Sequence, residues 1–167
     1  STSCTLAMAA SLPVVYPHMN SIGGDGFWVV GGASGPWDAF FTASNQSAEG
    51  FRDHSNGHST RASGNVGYQF SPDFETRFYI NANDIRQRIP GSVTRASALT
   101  SPQTAAAGNV VNDQQRNIDS LRLQNRTRFD WGSTRLDVGV FLNTKQLFHP
   151  IFQVIDQLSN DLGFDLR

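Results

Sequence analysis

The sequence predicts an all-β fold: an antiparallel up-and-down meander forming part of a transmembrane β-barrel. Three observations predict it: stretches that alternate with period two, tight turns that alternate with long polar loops, and aromatic residues gathered at the tight-turn ends. A strand sends successive side chains to opposite faces, so such alternation gives one apolar and one polar face. Barrel strands read this way when lipid lies on one side and water on the other.

The clearest hairpin runs Thr60, Ala62, Gly64, Val66, Tyr68, Phe70, turns at Ser71-Pro72-Asp73, and returns as Phe74, Thr76, Phe78, Ile80, Ala82. Its interleaved positions are Arg61, Ser63, Asn65, Gln69, Glu75, Arg77, Asn81 and Asn83. A second hairpin sets Leu121, Leu123, Thr127, Phe129 and Trp131 against Arg122, Gln124, Arg126, Arg128 and Asp130. After Gly132-Ser133 it continues with Leu136, Val138, Val140 and Leu142 against Arg135, Asp137, Asn143 and Lys145. A weaker copy places Trp37, Ala39, Phe41 and Ala43 opposite Asp38, Thr42, Ser44 and Gln46. Each run matches the roughly nine to eleven residues that a tilted strand needs to cross a bilayer.

The connections assign sides. Pro72-Asp73 and Gly132-Ser133 make tight turns, whereas residues 48–58 and 85–118 read as long polar loops. Outer-membrane barrels have short turns on the periplasmic side and long loops outside. Trp37, Tyr68, Phe70, Phe74, Phe129 and Trp131 share the apolar parity at the short-turn ends, where an interfacial aromatic girdle belongs. A soluble meander with one exposed face also alternates. A structureless loop over 85–118, uncommon in a compact soluble domain, favours the membrane.

Composition narrows the remaining classes. With 167 residues, 38% hydrophobic and 16% charged, no run is long enough for a transmembrane helix. The negative mean hydropathy of -0.34 is ordinary for strands half of whose residues face water. A formal net charge of -1 gives no reason to expect nucleic acid. Cys4, the one cysteine, supplies no internal disulfide or metal-ligand spacing. The Ala-rich stretch from Leu6 to Val15 reads as a short helix, and without a basic n-region or initiating methionine it is not expected to be a signal peptide. The glycines at 23, 24 and 26 lack both the P-loop lysine and the dinucleotide spacing.

Residues 3–30, above all Val15-Tyr16-Pro17-His18-Met19-Asn20-Ser21-Ile22-Gly23-Gly24-Asp25-Gly26-Phe27, resemble an early large-subunit segment of gamma-glutamyltransferases and related N-terminal-nucleophile hydrolases. That family attacks with a threonine freed by self-cleavage, whose own amino group serves as base. The resemblance covers a helix and a core strand and reaches neither the threonine segment nor the oxyanion-hole glycines, so no catalytic residue is expected and the chain is not read as an enzyme.

From about Ala33 onward the chain is similar to TonB-dependent outer-membrane receptors of the siderophore class. The motifs that carry this are Gly35-Pro36-Trp37-Asp38, Glu49-Gly50-Phe51-Arg52-Asp53-His54-Ser55, Gly64-Asn65-Val66-Gly67-Tyr68, Glu75-Thr76-Arg77-Phe78-Tyr79, Pro90-Gly91-Ser92, Ala106-Ala107-Gly108-Asn109, Asp113-Gln114-Gln115-Arg116-Asn117 and Phe148-His149-Pro150-Ile151-Phe152-Gln153-Val154-Ile155-Asp156. The resemblance implies part of a twenty-two-stranded barrel that imports ferric siderophores or similar metal chelates, energised through the TonB complex. The expected segments are 1–32, gamma-glutamyltransferase-like, and 33–167, partial receptor barrel holding five or six strands. The plug, the TonB-contacting box and the closing C-terminal strand are not expected here. The change at Gly31-Gly32-Ala33 has no linker composition, which also reads as a composite reading frame.

Candidate site residues follow from charge. In the longer loop, Arg86, Arg88, Arg95 and Arg116 are placed to attract an anionic chelate, because guanidinium pairs well with carboxylate and catecholate oxygens. Generic rim charge is the competing reading. Asp53, His54 and His58 read as solvated residues of the shorter loop, and no metal site or cofactor is expected. Arg61, Arg77, Arg122, Arg126 and Arg128, with Glu75, Asp130 and Asp137, are expected to form cross-strand pairs on the polar face. His149-Pro150 is placed near the start of a last strand without chemistry. A hydrolase of the gamma-glutamyl type and a soluble interaction domain are the other classes.

Overall fold

The computed structural model describes residues 25–167 and the backbone of Val14–Val15. Eight strands follow one another in a single sheet: β1 (Val14–Val15), β2 (Gly26–Ser34), β3 (Trp37–Ala48), β4 (Gly57–Ser71), β5 (Phe74–Arg88), β6 (Gln115–Trp131), β7 (Thr134–Pro150) and β8 (Val154–Leu166). Every neighbouring pair is antiparallel, so the fold is an all-β up-and-down meander. Two short helices, α1 (Arg95–Thr100) and α2 (Ala107–Val111), lie between β5 and β6. The rest of the stretch expected as an N-terminal helix lies outside the described residues. Its last two residues, Val14–Val15, are strand paired with Val29 and Trp28.

Turn chemistry explains one end of the sheet. Gly35 and Gly132 hold φ of 58° and 63° at the first position of two-residue hairpin turns, where a residue with a Cβ is strained. Pro72-Asp73 makes the third turn, and a bulge between Gln69 and Ser71 takes up the extra residue. The opposite end carries the connections 49–56, 89–114 and 151–153. Seven strands have nine residues or more, and six of them, β3 to β8, lie within 33–167, in agreement with the five or six expected there. His149 and Pro150 end β7 rather than open the last strand. The long loop is shorter than expected and is not structureless, because β5 continues to Arg88 and β6 begins at Gln115.

That extension has a physical reason. Beyond Asn83 the two faces exchange polarity: Asp84 and Arg86 take the apolar parity, while the register row Ile85, Ile118, Leu147 takes the polar one. Alternation of type breaks there, but backbone hydrogen bonding does not depend on side-chain polarity, so the ladder continues.

Register puts the apolar positions on one face. One row across it reads Val30, Phe41, Gly64, Ile80, Leu123, Leu142, Leu162, and the next reads Ala39, Val66, Phe78, Asn125, Val140, Phe164. Phe78, Leu123 and Val138 therefore share a face. No second layer covers it among the described residues. Phe78 is 57% and Val140 47% exposed, and Ala105 in the long loop is the one buried hydrophobic residue among those described. Polar groups on this face satisfy one another: Asn125 Nδ2 donates to Thr76 Oγ1 (2.9 Å), and Thr127 Oγ1 donates to Asn125 Oδ1 (3.1 Å).

At the turn end the six expected aromatics form one continuous run. Trp37 meets Tyr68 edge-on at 4.5 Å and Tyr68 meets Phe70 at 4.7 Å. Phe70 stacks on Phe74 at 4.4 Å, Phe74 on Phe129 at 4.6 Å, and Phe129 on Trp131 at 5.5 Å. Such offset and edge contacts stabilise by about 0.5–1.5 kcal/mol per pair beyond area burial.

Candidate functional site

The polar face and the loop rim hold the candidate chemistry. Near the turns, charges on the polar face are paired across strands. Arg77 grips Asp38 with both terminal nitrogens (2.5 and 2.7 Å) and also donates to Asn65 Oδ1 (2.6 Å). Asp137, with its side chain 13% exposed, receives Arg126 at 3.2 Å and Arg128 at 3.3 Å. Arg128 further reaches Glu75 (3.1 Å), and Arg135 holds Asp130 (2.7 Å). The expected cross-strand pairing thus holds for Arg77, Arg126 and Arg128, with Asp38 and Arg135 as partners the sequence did not single out. Arg61 and Arg122 depart from it. Neither has a carboxylate partner among the described residues, and Arg122 lies over the Phe141 ring, 5.2 Å from its centroid.

Next on the same face, toward the loops, comes an aromatic row. Phe40, Tyr79 and Phe141 lie level with Asn65 and Gln124. Counting parity through each run assigns them to the polar face, yet an apolar residue inside a polar series carries no signal of its own.

The four arginines expected to bind an anion are not brought together. Arg86 and Arg88 belong to β5 and Arg116 to β6, so only Arg95 lies in the loop region, at the start of α1. Arg86 and Arg88 carry the apolar-face parity beyond the apolar band, whereas Arg116 is on the polar face opposite Gln87. Arg86 is shared between Asp84 (3.1 Å) and Asp119 (2.8 Å), Arg88 faces Asp113 (3.4 Å), and Arg116 donates to Gln87 Oε1 (3.0 Å). Carboxylates thus occupy two of the four. Arg95 is exposed, with no partner among the described residues.

The two long connections are fastened to each other. Arg52 donates to the carbonyls of Gly91 (2.8 Å) and Thr104 (2.9 and 3.1 Å), and the Asp53 amide donates to the Gln103 carbonyl (2.7 Å). His54, expected in solvent, is instead half-buried, its side chain only 7% exposed. Its Nε2 donates to the Gln114 carbonyl (3.0 Å) and lies 3.7 Å from Asp113. A φ of 55° at His54 turns the chain so that the ring reaches across. His58 belongs to β4 rather than to the loop. Among the described residues no group of three His, Cys, Asp or Glu side chains is placed to hold a metal ion.

This fastening gives a testable outcome. Arg52→Ala removes three donors from two loop carbonyls and is expected to cost about 1–3 kcal/mol of loop closure. Limited trypsin digestion of the unaltered chain should cut first after Arg95, and the variant should be cut there several-fold faster. An unchanged rate would show that the two loops are held by other contacts.

No family model matches the chain. A stretch of 25 residues is 64% identical to part of an oxamate amidohydrolase proenzyme from Klebsiella pneumoniae. The match covers 15% of this chain, and the chain spans 5% of the length of that curated relative.

Proposed function

We propose that this chain is a segment of an outer-membrane active transporter of the TonB-dependent class, importing ferric siderophores or similar metal chelates. The observation that carries the reading is the uncovered apolar face, bounded at one end by the run of six aromatic rings and at the other by Asp84, Arg86 and Asp119. A soluble sheet would need a second layer over such a face, whereas acyl chains supply one in a bilayer. Tight turns at the ring end and long connections at the other agree with a periplasmic and an outer side. TonB coupling and the chelate rest on the resemblance over residues 33–167. In the parent barrel, further strands pair with the free edge of β8, since unpaired backbone groups in hydrocarbon cost several kcal/mol each.

All three tryptophans, Trp28, Trp37 and Trp131, have the apolar parity, which makes the test direct. Reconstituted into vesicles containing brominated acyl chains, the protein should lose most of its tryptophan emission, while aqueous iodide should quench little. Strong iodide quenching with no bromine effect would place this face in water and remove the membrane assignment.

A second reading applies to residues 1–32 and rests on their resemblance to N-terminal-nucleophile hydrolases, alongside which a 25-residue stretch of the chain matches an oxamate amidohydrolase proenzyme. It treats that segment as a piece of an N-terminal-nucleophile hydrolase. Self-cleavage before a threonine, with release of product from a gamma-glutamyl anilide, is the result that would support it. In the structure β2 runs from Gly26 through Gly31 and Gly32 to Ser34, paired along its length with β3.

A further inference from the structure

Charge on the polar face is divided into two zones. Toward the turns, Arg77, Arg126, Arg128, Arg135 and Arg167 are balanced by Asp38, Glu75, Asp130, Asp137 and Asp165. Toward the loops the balance fails. Beyond the Phe40–Tyr79–Phe141 row, the polar-face positions of β3 to β8 hold Arg61, Arg116, Arg122 and Lys145 against one carboxylate, Asp161, which accepts from Asn143 (3.1 Å). A second, Asp25 just before β2, lines the same cavity as Arg61 and accepts from the Ser47 amide (3.2 Å). Arg61, Arg122 and Lys145 are exposed and have no carboxylate partner among the described residues.

We propose that Arg61, Arg122 and Lys145, arranged around Asn81, Asn83 and Ser120, form a binding patch for a soluble polyanion that carries planar aromatic groups. Arg61 and Lys145 share one register row, Arg61, Asn83, Ser120, Lys145. Three strand spacings separate them, about 14 Å. Arg122 is a diagonal neighbour of Lys145, with Cα atoms about 7–8 Å apart. Asn83 Nδ2 donates to Ser120 Oγ (3.0 Å), which leaves the middle of the patch polar and uncharged. Three uncompensated cations on one wall select for several separated negative groups rather than a single small anion. The aromatic row one step toward the turns supplies flat apolar surface for the uncharged part of the ligand, and Arg122, already over Phe141, joins the two parts.

This assignment rests on the transport reading only for its placement inside a barrel, since the patch itself requires no more than that the polar face meet water. The probe is 1,3,6,8-pyrenetetrasulfonate, a fluorescent aromatic tetra-anion, titrated against the full chain in non-ionic micelles. Binding should weaken as salt rises. Arg61→Gln, Arg122→Gln and Lys145→Gln should each weaken it about three- to fivefold, and the triple variant about thirtyfold or more. Arg135→Gln, which removes an exposed cation at the turn end of the same face, should leave it unchanged. Tripolyphosphate should compete only at roughly tenfold or higher excess, because it lacks the planar part. The changes are on an exposed face, and Arg122→Glu, which should abolish binding in protein with unaltered strand content, guards against a folding artefact. Equal losses for Arg135→Gln and the triple variant, or none for either, would overturn the proposal, as would equal competition by tripolyphosphate. Bromine quenching of the tryptophans without probe binding would sink the patch and leave the transporter standing. Probe binding without quenching would do the reverse.

Discussion

Phe78→Arg is expected to destabilise the sheet in a lipid bilayer by about 2–4 kcal/mol, the cost of a cation near the midplane on the lipid side of a barrel. Phe78 lies midway along the apolar run of β5, between the rings at Phe74 and the charges at Asp84, and is 57% exposed in the isolated sheet. Gln124→Glu is the matched control. Gln124 is the register partner of Tyr79, one residue along the ladder and on the other face, with Arg122 and Arg126 on either side. A new carboxylate there should shift stability by no more than about 0.5 kcal/mol. Urea titration of both variants in vesicles, followed by tryptophan emission, separates the faces. Equal costs would mean that the two sides of the sheet meet the same solvent, and the membrane proposal would go with that result.

The second large effect is expected at Gly67. This residue is buried beneath the Arg77–Asp38 pair, and a Cβ built there comes within 2.5 Å of Arg77 Nη2 and 2.6 Å of Asp38 Oδ2. Gly67→Val forces the bidentate pair apart and leaves a guanidinium that is 26% exposed with Asn65 alone. The expected loss is about 1–3 kcal/mol, set by charge-assisted hydrogen bonds that water only partly replaces. Gly67→Val in an Asp38→Asn, Arg77→Gln background should cost markedly less, because the interaction it breaks is already gone. If the cost is the same in both backgrounds, the glycine is needed for strand geometry and not for the pair.

Much of this fold was legible from side-chain type alone, and where legibility stopped has a common cause. Strands β3 to β7 announce themselves because a residue's face and its polarity agree along most of each run, as in Phe74 to Ala82. Where the two part company the reading fails. Ile85 and Asp84 exchange roles, so side-chain type predicts a strand end there and a loop holding Arg86, Arg88 and Arg116, which belong instead to the ladder. For β8 the existence of a last strand is legible but not its start at Val154, because its apolar-parity series, Val154, Asp156, Leu158, Asn160, Leu162, is interrupted by polar residues. His54 looked like a solvated loop residue because its burial depends on the Gln114 carbonyl, 60 positions away, which no local pattern reports. The loop-side cations Arg61 and Lys145 were visible as residues, but their lack of partners emerges only once register shows which carboxylates lie nearby.

The run of rings from Trp37 to Trp131 crosses four strands at the turn end, and that has a mechanical consequence in the proposed bilayer. Six stacked or edge-on side chains tie that border of the sheet together, so the strands rise or sink as a unit. A membrane thinner or thicker than the apolar band is accommodated at the opposite border. There Trp28, Ala82 and Leu121 share the last apolar row before Asp84 and Asp119, and a thin bilayer uncovers that row while leaving Trp37 and Trp131 where they are.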